Sequence, residues 1–282
     1  MKSNLLIAIF FAFSLFSCEV EQQPTKVTQQ EILPEATPPQ KVVQEFENKG
    51  HELVYNMVQK TGNYNKFLEK KDVLYTYTYT TPDGKSDISN ERYIFNGELS
   101  AGSYQTHERT FPNLEGPIEQ GYDGNNYWLK HNGVLLSDDK MLQRVAFNRP
   151  TNFYWFAMMP KLLDPGLLYE YIGEKEINSI KYDIVKVSFE TIEDKPKDIY
   201  QVYINKETNL VDQFLFTVAD FGRMDPLLMK VEYETIEGLS IPTKRKYKAS
   251  DWEATDNNDP WISVNWTNIK FNNNLTQADF KS

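Results

Sequence analysis

The sequence has few of the residues that most often carry chemistry in enzymes. It contains one cysteine, Cys18, and three histidines, His51, His107 and His131, in 282 residues. A single cysteine cannot form a disulfide within the chain, and three scattered histidines show no metal-ligand spacing. Glycine-rich phosphate loops and Gly-x-Ser-x-Gly elbows are also absent. We therefore expect no metal, no cofactor and no enzyme activity, although a hydrolase needs only two carboxylates and stays an alternative.

Positive charge is scarce as well. Thirty lysines and arginines stand against 40 aspartates and glutamates, which gives a formal net charge of −10. Nucleic-acid binding and electrostatic attachment to anionic membranes both need clustered basic residues, so we expect neither. The acidic residues of 251–259 lack the spacing of an EF-hand, which favours a solvated loop over a calcium site.

Long apolar runs are missing except at the amino terminus. There, Lys2 precedes the almost wholly apolar residues 5–16, which suit a signal peptide but are too short to span a bilayer as a helix. The run ends in the letters LFSC, which resemble a bacterial lipobox. We expect residues 1–17 to be a cleaved signal peptide and Cys18 to carry a lipid that anchors the protein in a membrane. An ordinary signal followed by an incidental cysteine is the alternative.

The segment after Cys18 has no aromatic residue and is rich in proline and glutamine. Such a segment cannot bury enough apolar surface to offset the entropy of ordering it. We therefore expect a lipidated, disordered stalk at residues 18–40 and a folded domain at 41–282. Two acidic residues directly follow Cys18, and in some bacteria acidic residues there direct lipoproteins to the cell surface. The expected location is the bacterial cell envelope, anchored to the outer membrane on its periplasmic or surface-exposed face.

The folded part begins with a helical pattern. Apolar residues recur at helical spacing from residue 41 to the stop signal Thr61-Gly62, and they predict an N-terminal helix. Gly50 interrupts the pattern, so the helix is either kinked there or begins near His51.

Short strands separated by turn sequences follow this helix. The predicted turns have the sequences Pro82-Asp83-Gly84, Asn96-Gly97, Asp123-Gly124, Asn132-Gly133, Asn178-Ser179, Lys206-Glu207-Thr208 and Glu237-Gly238. About ten strands are expected, with sequential neighbours antiparallel. A sheet of that width does not stay flat, so the sequence predicts a mostly β, α+β domain in which the sheet curls around something.

One segment breaks the strand pattern. Residues 152–168, NFYWFAMMPKLLDPGLL, are nearly all apolar and are interrupted by Pro160 and Pro165-Gly166, which favours short helical turns over a strand. In the middle of a curled sheet, this segment is placed to plug or cover the concavity. A plain packed core is the alternative to a cavity wall.

Several turn and packing motifs occur in a recognisable order. They are YDG with YW at 122–128, YINKETNL at 203–210, GLSIPT at 238–243 and NIKFN at 268–272. This order resembles the LolA-like lipoprotein-carrier superfamily. With FYWFAMMPKLLDPGLLYEYIG included, the chain is similar to an uncharacterised family of bacterial outer-membrane lipoproteins, a domain of unknown function. The resemblance covers roughly residues 53–280, and it implies a half-barrel of strands around an apolar cavity that holds acyl chains.

The expected function follows from the anchor, the curled sheet and this resemblance. We expect a monomeric, lipid-anchored protein that binds or carries a hydrophobic small molecule or lipid in the concavity of the half-barrel. A surface interaction or glycan-binding lipoprotein with a filled core is the first alternative, and a hydrolase is the second. The expected ligand-binding residues are Trp128, Phe153, Trp155, Phe156, Met159, Leu162 and Leu163.

The lipid anchor gives the first testable prediction. Cys18→Ala removes the thiol that accepts the lipid, so the variant should no longer incorporate radioactive palmitate and should be released from the membrane fraction. Ser17→Ala, which keeps the thiol and a small residue before it, is the control and should label normally. Continued labelling of Cys18→Ala would contradict the lipobox assignment.

Overall fold

The structure is a computed structural model, and it describes residues 44–190 and 196–282. The predicted signal peptide, Cys18 and the stalk at 18–40 lie outside the described residues. The described part contains the helices α1 (Lys49–Lys60), α2 (Tyr64–Leu68) and α3 (Asp139–Lys161). Short 3-10 helices occur at Ala219–Phe221 and Gln277–Phe280.

The described strands are β1 (Asp72–Thr80), β2 (Ser86–Ile94), β3 (Leu99–His107), β4 (Ile118–Tyr122), β5 (Tyr127–His131), β6 (Val134–Leu135), β7 (Leu167–Ile177), β8 (Ile180–Phe189), β9 (Ile199–Asn205), β10 (Val211–Val218), β11 (Arg223–Ile236), β12 (Leu239–Ala249) and β13 (Ile262–Phe271). They form a single antiparallel sheet in the order β6-β5-β4-β3-β2-β1-β13-β12-β11-β10-β9-β8-β7. Two runs of sequential neighbours, β1 to β6 and β7 to β13, are therefore joined where β1 pairs with β13.

The predicted hairpin turns are confirmed. Asn132-Gly133, Asn178-Ser179 and Glu237-Gly238 each have positive φ at both residues, which is the conformation of a type I′ turn. This turn matches the right-handed twist of the strands that it connects, so each hairpin keeps the register that its sequence specifies. The pairs β5–β6, β7–β8 and β11–β12 result.

The sheet has 13 strands, so the expectation of about ten was wrong. The clearest omission is β3, whose sequence LSAGSYQTH is small and polar and has little intrinsic preference for a strand. Close packing explains its composition: a Cβ on Gly102 would lie 2.5 Å from Glu91 Oε1 and 3.0 Å from Arg149 Nη1. The two-residue β6 is too short for any pattern to reveal.

The sheet curls around α3. In a flat sheet β5 and β7 would lie about 50 Å apart, at ~4.8 Å per strand. The 23 residues of α3 span only about 35 Å. Yet Val145 near the start of α3 packs with Leu129 of β5, and the carbonyl of Leu162 at its end accepts a hydrogen bond of 2.8 Å from the Tyr169 hydroxyl of β7. The curled, mostly β fold is confirmed.

The helices differ from expectation in length. The α1 helix begins at Lys49, capped by the Asn48 side chain, so the shorter of the two predicted helices is close to the observed one. Of the segment 152–168, expected to form short helical turns, residues 152–161 belong instead to the long helix α3, which contains Pro150 and Pro160, and residues 167–168 begin β7. A proline inside a helix costs roughly 3 kcal/mol, and burial of the side chains of α3 against the sheet on several sides offsets this cost.

A buried ion pair fixes α3 within the sheet. Arg149 Nη1 lies 2.8 Å from Glu91 Oε2 of β2, and neither side chain is exposed to solvent. The carboxylate also accepts hydrogen bonds from the hydroxyls of Ser89 at 2.6 Å and Tyr93 at 3.1 Å. These bonds satisfy the oxygens of the buried carboxylate and so help to offset its cost of desolvation. No helix within the described ranges is both long and apolar enough to cross a membrane.

This pair gives the second prediction. Glu91→Gln leaves the guanidinium of Arg149 buried without a counter-charge, so it should lower the free energy of unfolding by about 3–5 kcal/mol. Urea denaturation measures this loss. Glu232→Gln is the matched control, because Glu232 lies on an exposed surface 3.7 Å from Lys244, where an ion pair contributes at most about 1 kcal/mol. Equal small losses in both variants would show that the buried pair does not hold α3.

Candidate functional site

A cavity of about 770 Å³ lies between α3 and the concave face of the sheet. The helix contributes one wall through Phe147, Asn148, Thr151, Tyr154 and Trp155. These residues lie on one side of α3, because side chains three and four positions apart share a helix face. The cavity opens to solvent beside Phe221, whose side chain is 60% exposed.

The opposite wall comes from strands at the centre and on one side of the sheet. Inward-pointing side chains of β1, β9, β10, β11, β12 and β13 contribute Tyr79, Tyr200, Phe216, Leu227, Tyr247 and Ile262. Alternation along each strand sends these side chains to the concave face and their neighbours to the convex face. The Trp155 ring meets the rings of Phe216 and Tyr247 edge to face, with centroids 5.8 and 5.9 Å apart. The cavity is therefore lined mainly by aromatic and aliphatic groups.

One end of the cavity is polar. Asp87 of β2 is fully buried and accepts hydrogen bonds from the backbone amides of Arg109 and Thr110, which fixes the loop after β3. The guanidinium of Arg109 lies 3.1 Å from Asp87 Oδ2 and 4.1 Å from the centre of the Tyr79 ring. The Tyr79 hydroxyl bonds that of Tyr247, whose pKa is raised by burial and by the neighbouring Tyr79. Tyr247 therefore stays neutral at physiological pH.

Beside and below the cavity, α3 packs in a filled core. Phe156 stacks on Tyr75 with ring centroids 4.8 Å apart, and Phe153 meets Tyr93 edge to face at 5.2 Å. Met159 and Leu162 are buried in a cluster that includes Met57 of α1, and Leu163 packs against the same cluster.

Of the seven residues predicted from the sequence to bind ligand, Trp155 alone lines the cavity. Five others lie in or against the core beneath the cavity: Phe153, Phe156, Met159, Leu162 and Leu163.

Trp128, the remaining predicted residue, lies on the convex face of the sheet. Its ring packs over Gly121, where a Cβ would clash with the ring, and its Nε1 donates a hydrogen bond of 2.7 Å to the carbonyl of Phe280. The carboxy-terminal segment therefore covers Trp128 on the side of the sheet that faces away from α3.

The acidic loop 251–259 uses its carboxylates within the protein. Asp251 accepts hydrogen bonds from the amides of Glu253 and Thr255, and Asp256 forms ion pairs with Lys230 and Lys248. The pKa of Asp256 is lowered, first by the hydrogen bond from Lys230 and then by that from Lys248. Within residues 44–190 and 196–282, no group of three or more potential metal ligands occurs.

The fold of this chain is similar to that of known proteins, although its sequence is not. No protein-family model matches the sequence, and no curated protein matches it significantly. Among solved structures, the chain is similar to a DUF1329 family protein from Desulfovibrio piger, with 12% identity, 83% of this chain and 98% of that chain covered, and a TM-score of 0.51. It is also similar to a LolA superfamily protein from Nitrosomonas europaea, with 11% identity, 83% and 97% coverage, and a TM-score of 0.48. The resemblance expected from the sequence is confirmed, and at these identities it concerns the fold alone.

The residues of the cavity that the sequence analysis missed come mostly from strands. Phe216 and Tyr247 occupy inward positions of β10 and β12. Alternation along a strand predicts which residues share one face of the sheet. Which face is concave depends on how the sheet curls, and that information is not local. Two arginines that also line the cavity, Arg109 and Arg144, lie in no recognisable sequence motif.

The two faces of α3 give the third prediction. Phe156→Ala should cost about 3–5 kcal/mol of unfolding free energy, because the side chain is 2% exposed and lies between aromatic rings. Trp155→Ala should cost under about 2 kcal/mol, well below that core figure, because its ring borders open space. Chemical denaturation of both variants measures the difference. If Trp155→Ala is as damaging as Phe156→Ala, Trp155 belongs to the core and the cavity wall has been misassigned.

Proposed function

We propose that this chain is a lipid-anchored protein of the bacterial cell envelope that binds or carries a hydrophobic ligand in the cavity between α3 and the sheet. The observation that carries the proposal is the cavity itself, with its volume of about 770 Å³ and its aromatic walls. Sites for small molecules and cofactors span about 300–1,000 Å³ and are lined mainly by apolar side chains with a few polar groups. The cavity has this size and this composition.

The packing around the cavity supports the same proposal. Protein interiors are close-packed, with few voids larger than a water molecule. In the core beside and below the cavity the protein follows this rule, since Phe156, Met158 and Leu162 are at most 2% exposed. At the cavity, Trp155, Tyr154 and Phe216 border a space that no side chain among the described residues fills. An apolar ligand would complete the packing there, whereas a protein that only presents its surface to a partner has no use for the space.

The lipid anchor expected at Cys18 would hold such a protein at a membrane, where hydrophobic ligands are found. A single acyl chain gives only marginal membrane binding, whereas two or more give stable attachment. We propose that the anchor holds the protein stably at the outer membrane, on its periplasmic or surface-exposed face, and that the cavity binds the ligand there.

Occlusion of the cavity tests this function and is the fourth prediction. Ala249→Trp, at an inward position of β12 that lines the cavity, should fill the space and weaken binding of a fluorescent fatty-acid probe at least tenfold. Ala278→Trp, which adds the same side chain at an exposed position of the carboxy-terminal 3-10 helix, is the control and should bind as the unchanged protein does. Fluorescence titration measures binding, and thermal unfolding confirms that both variants fold.

The unchanged protein purified from its own membrane should also release lipid, in a ratio near one per chain, when extracted with organic solvent and analysed by mass spectrometry. An empty protein that also binds no probe would contradict the proposal. Retention of a sugar in place of a lipid would favour a glycan-binding protein.

A further inference from the structure

The polar end of the cavity has an unbalanced positive charge. Arg109 and Arg144 both line this end, and the charge of Arg109 is offset by Asp87 at 3.1 Å. Arg144, a half-buried residue of α3, has no carboxylate within ion-pair distance and makes no hydrogen bond through its side chain with any described residue. Asp87 is therefore within ion-pair distance of Arg109 and is not within that distance of Arg144.

The surroundings of Arg144 are aromatic. Its guanidinium carbon lies 5.7 Å from the centre of the Phe147 ring and 6.0 Å from that of Phe221, at the opening of the cavity. These distances are near the outer limit for an attraction between a cation and a ring, so the rings replace little of the water that Arg144 loses. Burial, followed by repulsion from Arg109, lowers the pKa of Arg144. A negative charge close by would stabilise the charged guanidinium and so offset both effects.

The carboxylates that line the cavity do not supply this charge. Asp198 accepts a hydrogen bond of 2.7 Å from the backbone amide of Ala219, and Asp259 accepts one of 3.0 Å from the side chain of Asn257. Asp220 is exposed in the 3-10 helix after β10. None of them lies within 4.0 Å of Arg144. The place beside Arg144 is open to a ligand that has its own negative charge.

We infer that the ligand is an anionic amphiphile whose carboxylate or phosphate group binds Arg144 at the opening, with Arg109 beside it, while its hydrocarbon part lies against Trp155 and Phe216. This inference rests on the proposed function and narrows it to a class of ligand. An arginine matches the geometry of a carboxylate or phosphate through paired hydrogen bonds. In a half-buried site such bonds are stronger than in water, because less solvent competes for the donors.

A matched pair of probes tests the inference separately from the proposed function. Parinaric acid and its methyl ester share one fluorescent chain, and only the acid carries a negative charge. The unchanged protein should bind the acid about tenfold more tightly than the ester, since a hydrogen bond to a charged group contributes roughly a factor of ten or more. Arg144→Gln should lower affinity for the acid to that for the ester and leave the ester unaffected. Arg144→Lys should keep part of the preference.

Lys244→Gln removes the same charge from an exposed site of β12 and should leave the preference intact. Equal binding of acid and ester by the unchanged protein would overturn the anionic group while leaving a hydrophobic ligand supported. Binding of neither probe would contradict the proposed function instead. If Arg144→Gln loses both probes, the affinities for acid and ester are compared in the unchanged protein and in Arg144→Lys. A preference for the acid that is smaller in Arg144→Lys supports the inference, and an equal preference in both contradicts it. Free phosphate that binds as tightly as the acid would show that the site recognises the anionic group without the chain, and it would overturn the amphiphile.

Discussion

The buried pair of Arg149 and Glu91 is the constraint on which the rest of the structure depends. A sheet of 13 strands without a closed barrel has a wide concave face that must be covered. One long helix covers it, and the ion pair fixes both the position and the rotation of that helix. A second contact supports the first: the buried Arg245 of β12 donates a hydrogen bond of 2.7 Å to the backbone carbonyl of Trp155. Because the rotation of α3 is fixed, each of its inward side chains lies either in the core or at the cavity.

This assignment explains why the candidate site was only partly predictable. The segment 152–168 has the composition of both a core and a cavity wall, and its adjacent residues Trp155 and Phe156 point to different sides of α3. Composition indicated the helix that carries one wall of the site, but the rotation of α3 decides which of its residues form that wall. That rotation is set by Glu91, a residue more than fifty positions away in the sequence. A charged residue in a strand gives no local sign of such a role.

The fold was more predictable than the site, because local chemistry specifies most of it. Positive φ at Asn-Gly, Asn-Ser and Glu-Gly turns sets the hairpins, and the tyrosine alternation of β1 marks its buried face. Where long-range packing overrides local preference, prediction fails. In β3, Gly102 leaves room for the ion pair, and in α3, Pro150 lies within a helix that its neighbours in space stabilise. Both departures occur around the contact that holds the helix in the sheet.

The central claim is that a hydrophobic chain enters the space between α3 and the sheet. Stearic acid that carries a nitroxide on its chain tests it most directly, because the radical broadens the methyl NMR signals of nearby residues. The account predicts the strongest broadening for Leu227 and Ile262, which line the cavity, and weaker effects at Leu129 and Leu162 in the core. Unchanged signals at Leu227 and Ile262, or stronger broadening at the exposed Val134, would contradict it.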